Sequence, residues 1–347
     1  MRLLIVTHAL DARDTNLGFF HEWVRRFSET FEEVFVIAQR IGSVDLPSNV
    51  FVESSGKERG AGRFMRFSRF WAAERRFISR TDAVFVHMSP LYAILAWPMA
   101  RFYGRPLYFW YVHGSVTFLL RAAERLVKRV FTASPESFRI PSKKTIVVGH
   151  GVDTDVYAPG TRENRGILTI RTLGRISRSK NLHILVKSAV LLKKTKPSGW
   201  GLSIIGDPPD EEGKVYLKEL LSLSEKEGVT GEVIFHRGVP HSETPKLYRD
   251  TDIFVNLSET GSIDKAVLEA MSSGCSIVSS NEAFFSVLPE SSLVRELTPE
   301  NVAGAILKAW DESRPRMDMR RVVEKRFNLR SLIKNISETI KKDQSEA

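Results

Sequence analysis

Cysteine is almost absent. Cys275 stands alone in 347 residues, which rules out an internal disulfide and any thiolate metal cluster. Long apolar runs are missing too: the longest, residues 91–100, is interrupted by Pro98 and closed by Arg101, well short of the ~20 residues a membrane-spanning helix requires. Residues 3–6 are too brief for the core of a signal peptide and read as a first strand. These features point to a reducing, cytoplasmic setting. There is no low-complexity tract or short repeat. No recognised nucleic-acid module is present, so nucleic acid is not expected as a partner. No G-x-G-x-x-G follows the first strand, which counts against a dinucleotide-dependent dehydrogenase.

What remains is an ordinary globular composition, 42% hydrophobic and 27% charged, in a chain long enough for two domains. Its charge is uneven. Residues 1–150 hold 22 Lys+Arg against 13 Asp+Glu, the rest hold 29 against 28, and nearly all of the net +10 therefore lies in the first half. Such a half suits an anionic partner: a phosphorylated substrate, an anionic lipid surface or nucleic acid.

Residues 251–280 organise the chain. Residues 253–257 form a short apolar strand, and a Ser-Glu-Thr-Gly-Ser turn follows. Asp264 is placed to cap a helix that stops at Gly274, and another strand begins at Ser276. On that helix Val267, Leu268 and Met271 share one face. Lys265, Glu269 and Ser272 or Ser273 lie opposite, leaving Glu269 to meet something polar or to pair with Lys265 at i,i+4. Alanine at 269 should then leave the fold intact. Gly261 and Ser262 put unpaired backbone N–H groups where an anion would sit.

At the start, the strand at 3–6, a helix over FFHEWVRRFSETF and a strand at 34–38 open a doubly wound domain, whose ligands gather beyond the carboxyl ends of the strands. Gly18, at the helix entrance, either admits a phosphate or simply permits the turn. Residues 57–80 carry eight Lys or Arg and two Glu. On a helix, Phe64, Phe67, Phe70, Trp71, Phe77 and Ile78 form one face and Arg66, Arg69, Arg76 and Arg80 another. That pattern fits a core-packed helix with a solvated basic side, or one lying on an anionic membrane. Strands at 83–87 and 107–112 place His113 at a carboxyl end, where it can bond a sugar or phosphate or serve the fold alone. Asp153 and Asp155 are formally a D-x-D pair but read as caps, and no metal site is expected.

The second half repeats the grammar: a strand at 168–173, the loop GRISRSKN, a helix, a strand ending at Gly206, and a strand followed by Gly238 and Val239. Arg175 and Lys180 stand at the mouth of this second sheet, where a diphosphate needs paired cationic donors. Taken alone they could equally be solvated loop charges.

Together and in order, VVGHGVDTDVYAPG, LGRISRSKNLHILVKSA, LSIIGD, VIFHRGVP, ETPKLYRDTDIFVNLS and LEAMSSGCSIV resemble the retaining nucleotide-sugar glycosyltransferases of family 4, the group 1 glycosyl transferases with the GT-B fold. The resemblance covers most of the chain and is densest over residues 144–280. It implies an α/β protein of two Rossmann-like doubly wound domains facing across a cleft: an acceptor domain at 1–155, a donor domain at 156–325, and a C-terminal helix at 326–347 crossing back to the first. The implied reaction moves a hexose from a nucleotide diphosphate sugar to a hydroxyl acceptor, a glycan or lipid-linked molecule, with retention and without a metal or other cofactor. The basic helix adds peripheral contact with an anionic membrane as an expectation.

By match of motifs, the resemblance implies that Arg175 and Lys180 stabilise the departing diphosphate and Glu269 bonds the ribose hydroxyls. Gly206 and Val239 would border the base, Gly18 would face the phosphates and His113 would touch the donor sugar. Gly261, Ser262 and Asp264 would line the donor. The sequence departs from the family at Gly261, where a second Glu is usual, so Asp264 is the carboxylate that would have to stand in. A GT-B sugar-nucleotide epimerase remains an alternative, as does a non-enzymatic anion or nucleic-acid binder; the latter leaves Arg175, Lys180 and Glu269 unexplained.

Overall fold

Residues 3–6 of the first strand are all apolar because both of its faces are buried. In the computed structural model, which describes residues 1–15, 17–160, 166–258, 263–311 and 317–346, this strand is β1 (Arg2–Leu10). It is joined by β2 (Glu33–Ile41), β3 (Val50–Ser54), β4 (Ala83–His87), β5 (Leu107–Trp110), β6 (Arg129–Thr132) and β7 (Thr145–Val147) in a parallel sheet ordered β3-β2-β1-β4-β5-β6-β7. Leu3 pairs in register with Val34 on one side and Ala83 on the other. Leu3 and Ile5 pack with Phe20, Trp23 and Phe27 of α1 (Phe19–Ser28) and with Leu332, Ile336 and Ile340 of the C-terminal helix Leu329–Ser345. Leu4 and Val6 face the other way, onto Phe70 and Phe77 of α2 (Arg63–Ile78), Tyr92 and Ala96 of α3 (Pro90–Phe102) and Leu120 of α4 (Phe118–Leu126). A parallel sheet covered on both faces has this two-sided apolar alternation. Asp343 anchors the C-terminal helix by accepting from Arg129 at 3.0 Å and from the Tyr108 hydroxyl at 3.3 Å.

This first unit comprises Met1–Gly151, Pro240–Ser242 and Leu329–Ala347, and the second comprises Val152–Val239 and Glu243–Asn328. The second contains β8 (Leu168–Leu173), β9 (Trp200–Ile205), β10 (Val233–His236), β11 (Ile253–Asn256) and β12 (Ser276–Ser279), parallel and ordered β10-β9-β8-β11-β12. Helices α5 (Leu182–Thr195), α6 (Glu211–Lys226) and α9 (Pro299–Asp311) supply Leu185, Leu220 and Ile306 to one face of the sheet. Helices α7 (Thr244–Arg249), α8 (Lys265–Ser272) and α10 (Met317–Arg326) supply Tyr248, Met271 and Val323 to the other. Gly274 ends α8 in the left-handed region at φ +77°, as the sequence suggested. In each sheet the strand order reverses once, between β1 and β4 and between β8 and β11, and ligands of doubly wound folds bind at such points.

The first unit departs from the sequence pattern in three places. The strand β3 was not foreseen; it lies at the sheet edge with half-buried residues, so its apolar signal is weak. The aromatic face of α2 is also narrower than its periodicity suggests. Phe70, Phe77 and Ile78 are buried, but Phe64 is 91% exposed and Trp71 45%; no residue of the helix before Phe70 is buried, and from there on only Phe70, Ala73, Glu74, Phe77 and Ile78 are. Nor is its basic face uniformly solvated. Arg76 and Arg80 pair with Glu53 and Glu33 at 3.3 and 3.2 Å, while Arg66 and Arg69 are only partly exposed.

Candidate functional site

Between β8 and α5 the chain makes a short loop and a 3-10 turn, Arg178–Lys180. Asn181 then enters α5 at φ +49°, a conformation Asn tolerates better than most residues. Its side-chain amide donates to the Leu257 carbonyl at 3.0 Å, tying this loop to the end of β11. The tether sets the position of Lys180. Its Nζ donates to Ser258 Oγ at 2.8 Å and to Asp264 Oδ2 at 2.5 Å. The same Oδ2 accepts from Asn256 Nδ2 at 2.9 Å and from the Ser258 hydroxyl at 3.2 Å, while Oδ1 accepts from the Ala266 N–H at 3.3 Å and caps α8. Burial alone would push the Asp264 pKa up. The Lys180 charge and hydrogen bond, with those of Asn256 and Ala266, outweigh it and hold the carboxyl below its usual range.

Arg175 stands differently. It is exposed and, among the described residues, has no ion pair, whereas Arg178 bonds Glu219 at 2.8 Å and lies 5.0 Å over the Tyr216 ring. One loop therefore offers an uncommitted guanidinium and an oriented ammonium, a donor set suited to a diphosphate. A Cβ at Gly206 would lie 1.8 Å from the Gly174 carbonyl, so the ends of β8 and β9 approach too closely for a side chain there. Gly238 leaves similar room for Asp207, and Val239 is partly buried. Gly261 and Ser262 lie outside the described residues.

Glu269 is not turned outward as the helical wheel suggested; it is 4% exposed. Tyr248, arriving from α7, donates its hydroxyl to Glu269 Oε2 at 3.1 Å, and Lys265 Nζ lies 3.7 Å from Oε1. Burial first, and the Glu269 charge second, drive up the pKa values of Tyr248 and Tyr157. Ser272 and Ser273 are buried as well, and Ser272 donates to the Tyr157 carbonyl at 2.5 Å. The side of α8 that looks polar in sequence is thus covered by tyrosines from distant segments. Contrary to the sequence expectation, Glu269→Ala should destabilise the protein by about 2 kcal/mol, since it strands a buried Tyr248 hydroxyl. Glu269→Gln keeps an acceptor there and should cost less. Urea unfolding of both variants tests this, and an unchanged midpoint for Glu269→Ala would contradict it.

In the first unit, the Gly18 N–H donates to the Asp14 carbonyl at 3.1 Å, and a Cβ would lie 2.5 Å from that oxygen. Gly18 therefore closes its own loop. His113 is exposed. Its Nδ1 accepts from the Ser115 N–H at 3.1 Å and is 2.5 Å from Ser115 Oγ, an arrangement that assigns the proton to Nε2 and makes that atom an outward donor. Asp153 Oδ1 accepts from the N–H groups of Asp155 and Val156 at 3.0 and 3.3 Å, the geometry of a turn cap. Among the described residues no group of three His, Cys, Asp or Glu side chains is set to hold a metal.

The site residues therefore divide: Lys180 and Asp264 touch, with Arg175, Gly206 and Glu269 in the same unit, while Gly18 and His113 belong to the other. Sequence reading missed Asn181, Asn256 and Ser258, the residues that orient Lys180; the polar end of DIFVNLS was the available signal.

Residues 158–325 match the profile of the family described as glycosyl transferases group 1, so the resemblance seen in the sequence holds for the second unit. Mannosylfructose-phosphate synthase of Agrobacterium fabrum (strain C58 / ATCC 33970) is 24% identical over 149 residues, 40% of this chain and 33% of that protein. D-inositol 3-phosphate glycosyltransferase of Corynebacterium urealyticum (strain ATCC 43042 / DSM 7109) is 27% identical over 154 residues, 41% of this chain and 36% of that protein. The chain thus spans about a third of the length of the curated relatives it matches. The crystal structure of Anabaena HepE in complex with UDP and glucose is similar with a TM-score of 0.75 at 15% identity, covering 98% of this chain and 99% of that one. The fold is GT-B, with two Rossmann-like domains.

Proposed function

We propose that this protein is a retaining glycosyltransferase whose second unit holds a nucleotide diphosphate hexose and whose first unit holds a hydroxyl acceptor. The observation that carries this reading is the loop after β8, with Arg175 uncommitted and Lys180 oriented by Ser258 and Asp264. Cleavage between the anomeric carbon and the phosphate oxygen leaves negative charge on the diphosphate. Fixed cationic donors stabilise that charge without a metal or further cofactor. Asp264 acts as a positioning residue for Lys180, Glu269 serves the ribose, and His113 Nε2–H is a donor for a sugar hydroxyl. The match to the group 1 glycosyl transferases and the UDP and glucose held by the Anabaena neighbour support this assignment. Thermal-shift screening against UDP, GDP and ADP, followed by their sugars, identifies the donor, since a ligand that binds the native state raises its stability. Release of nucleoside diphosphate that depends on an acceptor distinguishes transfer from epimerisation. No stabilisation by any nucleotide would count against the whole reading.

Peripheral contact with an anionic membrane belongs to the same proposal. Its support is an open apolar hollow of about 680 Å³ lined by Trp71, Arg75, Leu95, Pro98, Met99 and Phe102, among others. Phe102 is 83% exposed, and Arg63, Arg75 and Arg101 on the same two helices are exposed. Because Arg76 and Arg80 are paired, these three arginines and the aromatics form the better lipid-facing set; each cation near such a surface contributes on the order of 1 kcal/mol. Changing Trp71 and Phe102 together to Asp should weaken co-sedimentation with phosphatidylglycerol vesicles at low salt by roughly tenfold or more. Undiminished binding, or none by the unaltered protein, would contradict membrane contact.

A further inference from the structure

A second group of cations, which the donor reading does not use, lies in the first unit beside the carboxyl ends of β1, β2 and β3. Gln39 Nε2 is 2.7 Å from His8 Nδ1. The amide can only donate there, so Nδ1 accepts and the His8 proton sits on Nε2. Burial, and then the charge of Lys57, lower the His8 pKa and keep the ring neutral. Tyr92 meets His8 edge to face at 6.3 Å, hydrogen-bonds Ser55, and lies close enough to Arg66 for that charge to oppose the upward effect of burial on its hydroxyl. Arg69 rests against Gly56: a Cβ at that position would stand 2.1 Å from its Nη1, and φ there is +90°. Gly56 thus admits no side chain, and its bareness sets where the Arg69 guanidinium lies.

Lys57, Arg66 and Arg69 therefore gather from the loop after β3 and the first half of α2. Among the described residues none of them has an ion pair, whereas Arg76 of the same helix and Arg80 just beyond its end are neutralised by Glu53 and Glu33. The Arg66 Nε is buried and has no hydrogen-bond partner among the described residues. Two half-buried guanidinium groups and an ammonium without counter-ions repel one another, and an anion relieves that repulsion. With the His8 Nε2–H and the Tyr92 hydroxyl nearby, the donors outnumber what a carboxylate can use and suit the three outer oxygens of a phosphate monoester.

We propose that Lys57, Arg66 and Arg69, with His8 and Tyr92, bind a phosphate group carried by the acceptor. The word acceptor rests on the glycosyltransferase reading; the anion site does not. The phosphate belongs either to a soluble sugar phosphate or to a lipid headgroup, which share this chemistry.

The test is a histidine NMR titration at neutral pH, following the His8 ring resonance assigned by its loss in His8→Gln. The probes are inorganic phosphate, glucose 6-phosphate, neutral glucose, and dihexanoyl phosphatidic acid below its micelle concentration. Expected is a saturable His8 shift with the phosphate probes and none with glucose. Arg66→Gln with Arg69→Gln should weaken the response at least tenfold, and Lys57→Gln, an exposed change that leaves folding alone, severalfold. Arg76→Gln with Arg80→Gln should leave it unchanged. Saturation by glucose 6-phosphate alone identifies the soluble source, and by phosphatidic acid alone the lipid source. No His8 shift with any phosphate, or a shift that survives both the double arginine change and Lys57→Gln, overturns the proposal. UDP binding is measured on the same samples by calorimetry: UDP bound without phosphate at His8 refutes this site and spares the donor assignment, and the reverse result refutes the donor assignment and spares this site.

Discussion

Arg175→Ala should lower turnover by roughly two to three powers of ten, the usual cost of removing one donor aimed at charge that develops in the transition state. Its stability should be unchanged, since the side chain is exposed and without an ion pair among the described residues. Lys180→Ala should lower turnover similarly but also affect the fold. Its ammonium lies 2.5 Å from the largely buried carboxylate of Asp264, which would keep its bonds to Asn256, Ser258 and Ala266 yet lose the charge that depresses its pKa. Losing that partner should cost about 2 kcal/mol. Steady-state kinetics in the presence of chelator, beside urea unfolding, separate the two effects. Full activity in Arg175→Ala would remove the residue from the diphosphate site. Activity abolished by chelator and restored by Mg²⁺ or Mn²⁺ would show that a metal supplies the charge instead.

The second large effect concerns Glu74, which the proposed reaction does not use. Glu74 is fully buried in α2 among Phe70, Ala73, Phe77 and Ile78, and among the described residues neither of its carboxylate oxygens has a hydrogen-bond partner. Burial pushes its pKa up to about 8 from 4.5. A carboxyl raised in this way keeps its proton in the folded protein over a range where the unfolded chain has released it. Stability is therefore greatest below the unfolded pKa and falls as pH rises from about 4.5 to about 8, by ~4 kcal/mol for a shift of this size. Glu74→Met keeps the volume and removes the charge. It should stabilise the protein by about 4 kcal/mol at pH 8 and by only ~1 kcal/mol near pH 5, where the unpaired neutral carboxyl still costs something. Denaturant unfolding at the two pH values is the check. A wild-type stability that does not fall over this range, or a Glu74→Met protein less stable at pH 8, would contradict it.

Much of the second unit was legible because its signals are local. Residues 253–257, the Asp264 cap and the Gly274 stop each depend on neighbours a few positions away, and β11 and α8 follow them closely. The partnership of Lys180 with Asp264 was not legible, since the two are 84 residues apart and meet because β8 and β11 are neighbours in the sheet. The burial of Glu269 escaped for a related reason. A helical wheel shows which residues share a face but not that Tyr157 and Tyr248 come to cover it, and small serines beside Glu269 made that face look solvated. On α2 the spacing of the arginines was visible, whereas the acids that neutralise Arg76 and Arg80 come from β2 and β3. The sparing of Arg66 and Arg69 could be seen only once those strands were in place.

In the proposed reaction the second unit grips a nucleotide diphosphate through Arg175 and Lys180 without a metal. Calorimetric titration of UDP, GDP and ADP into the protein in excess chelator tests it most directly, with Arg175→Ala run in parallel. The expected result is one saturable site for at least one of these nucleotides in the wild type, weakened at least tenfold by the substitution, or about 1.4 kcal/mol. Binding of none of the three, binding that appears only when a divalent cation is added, or equal affinity in Arg175→Ala would contradict it.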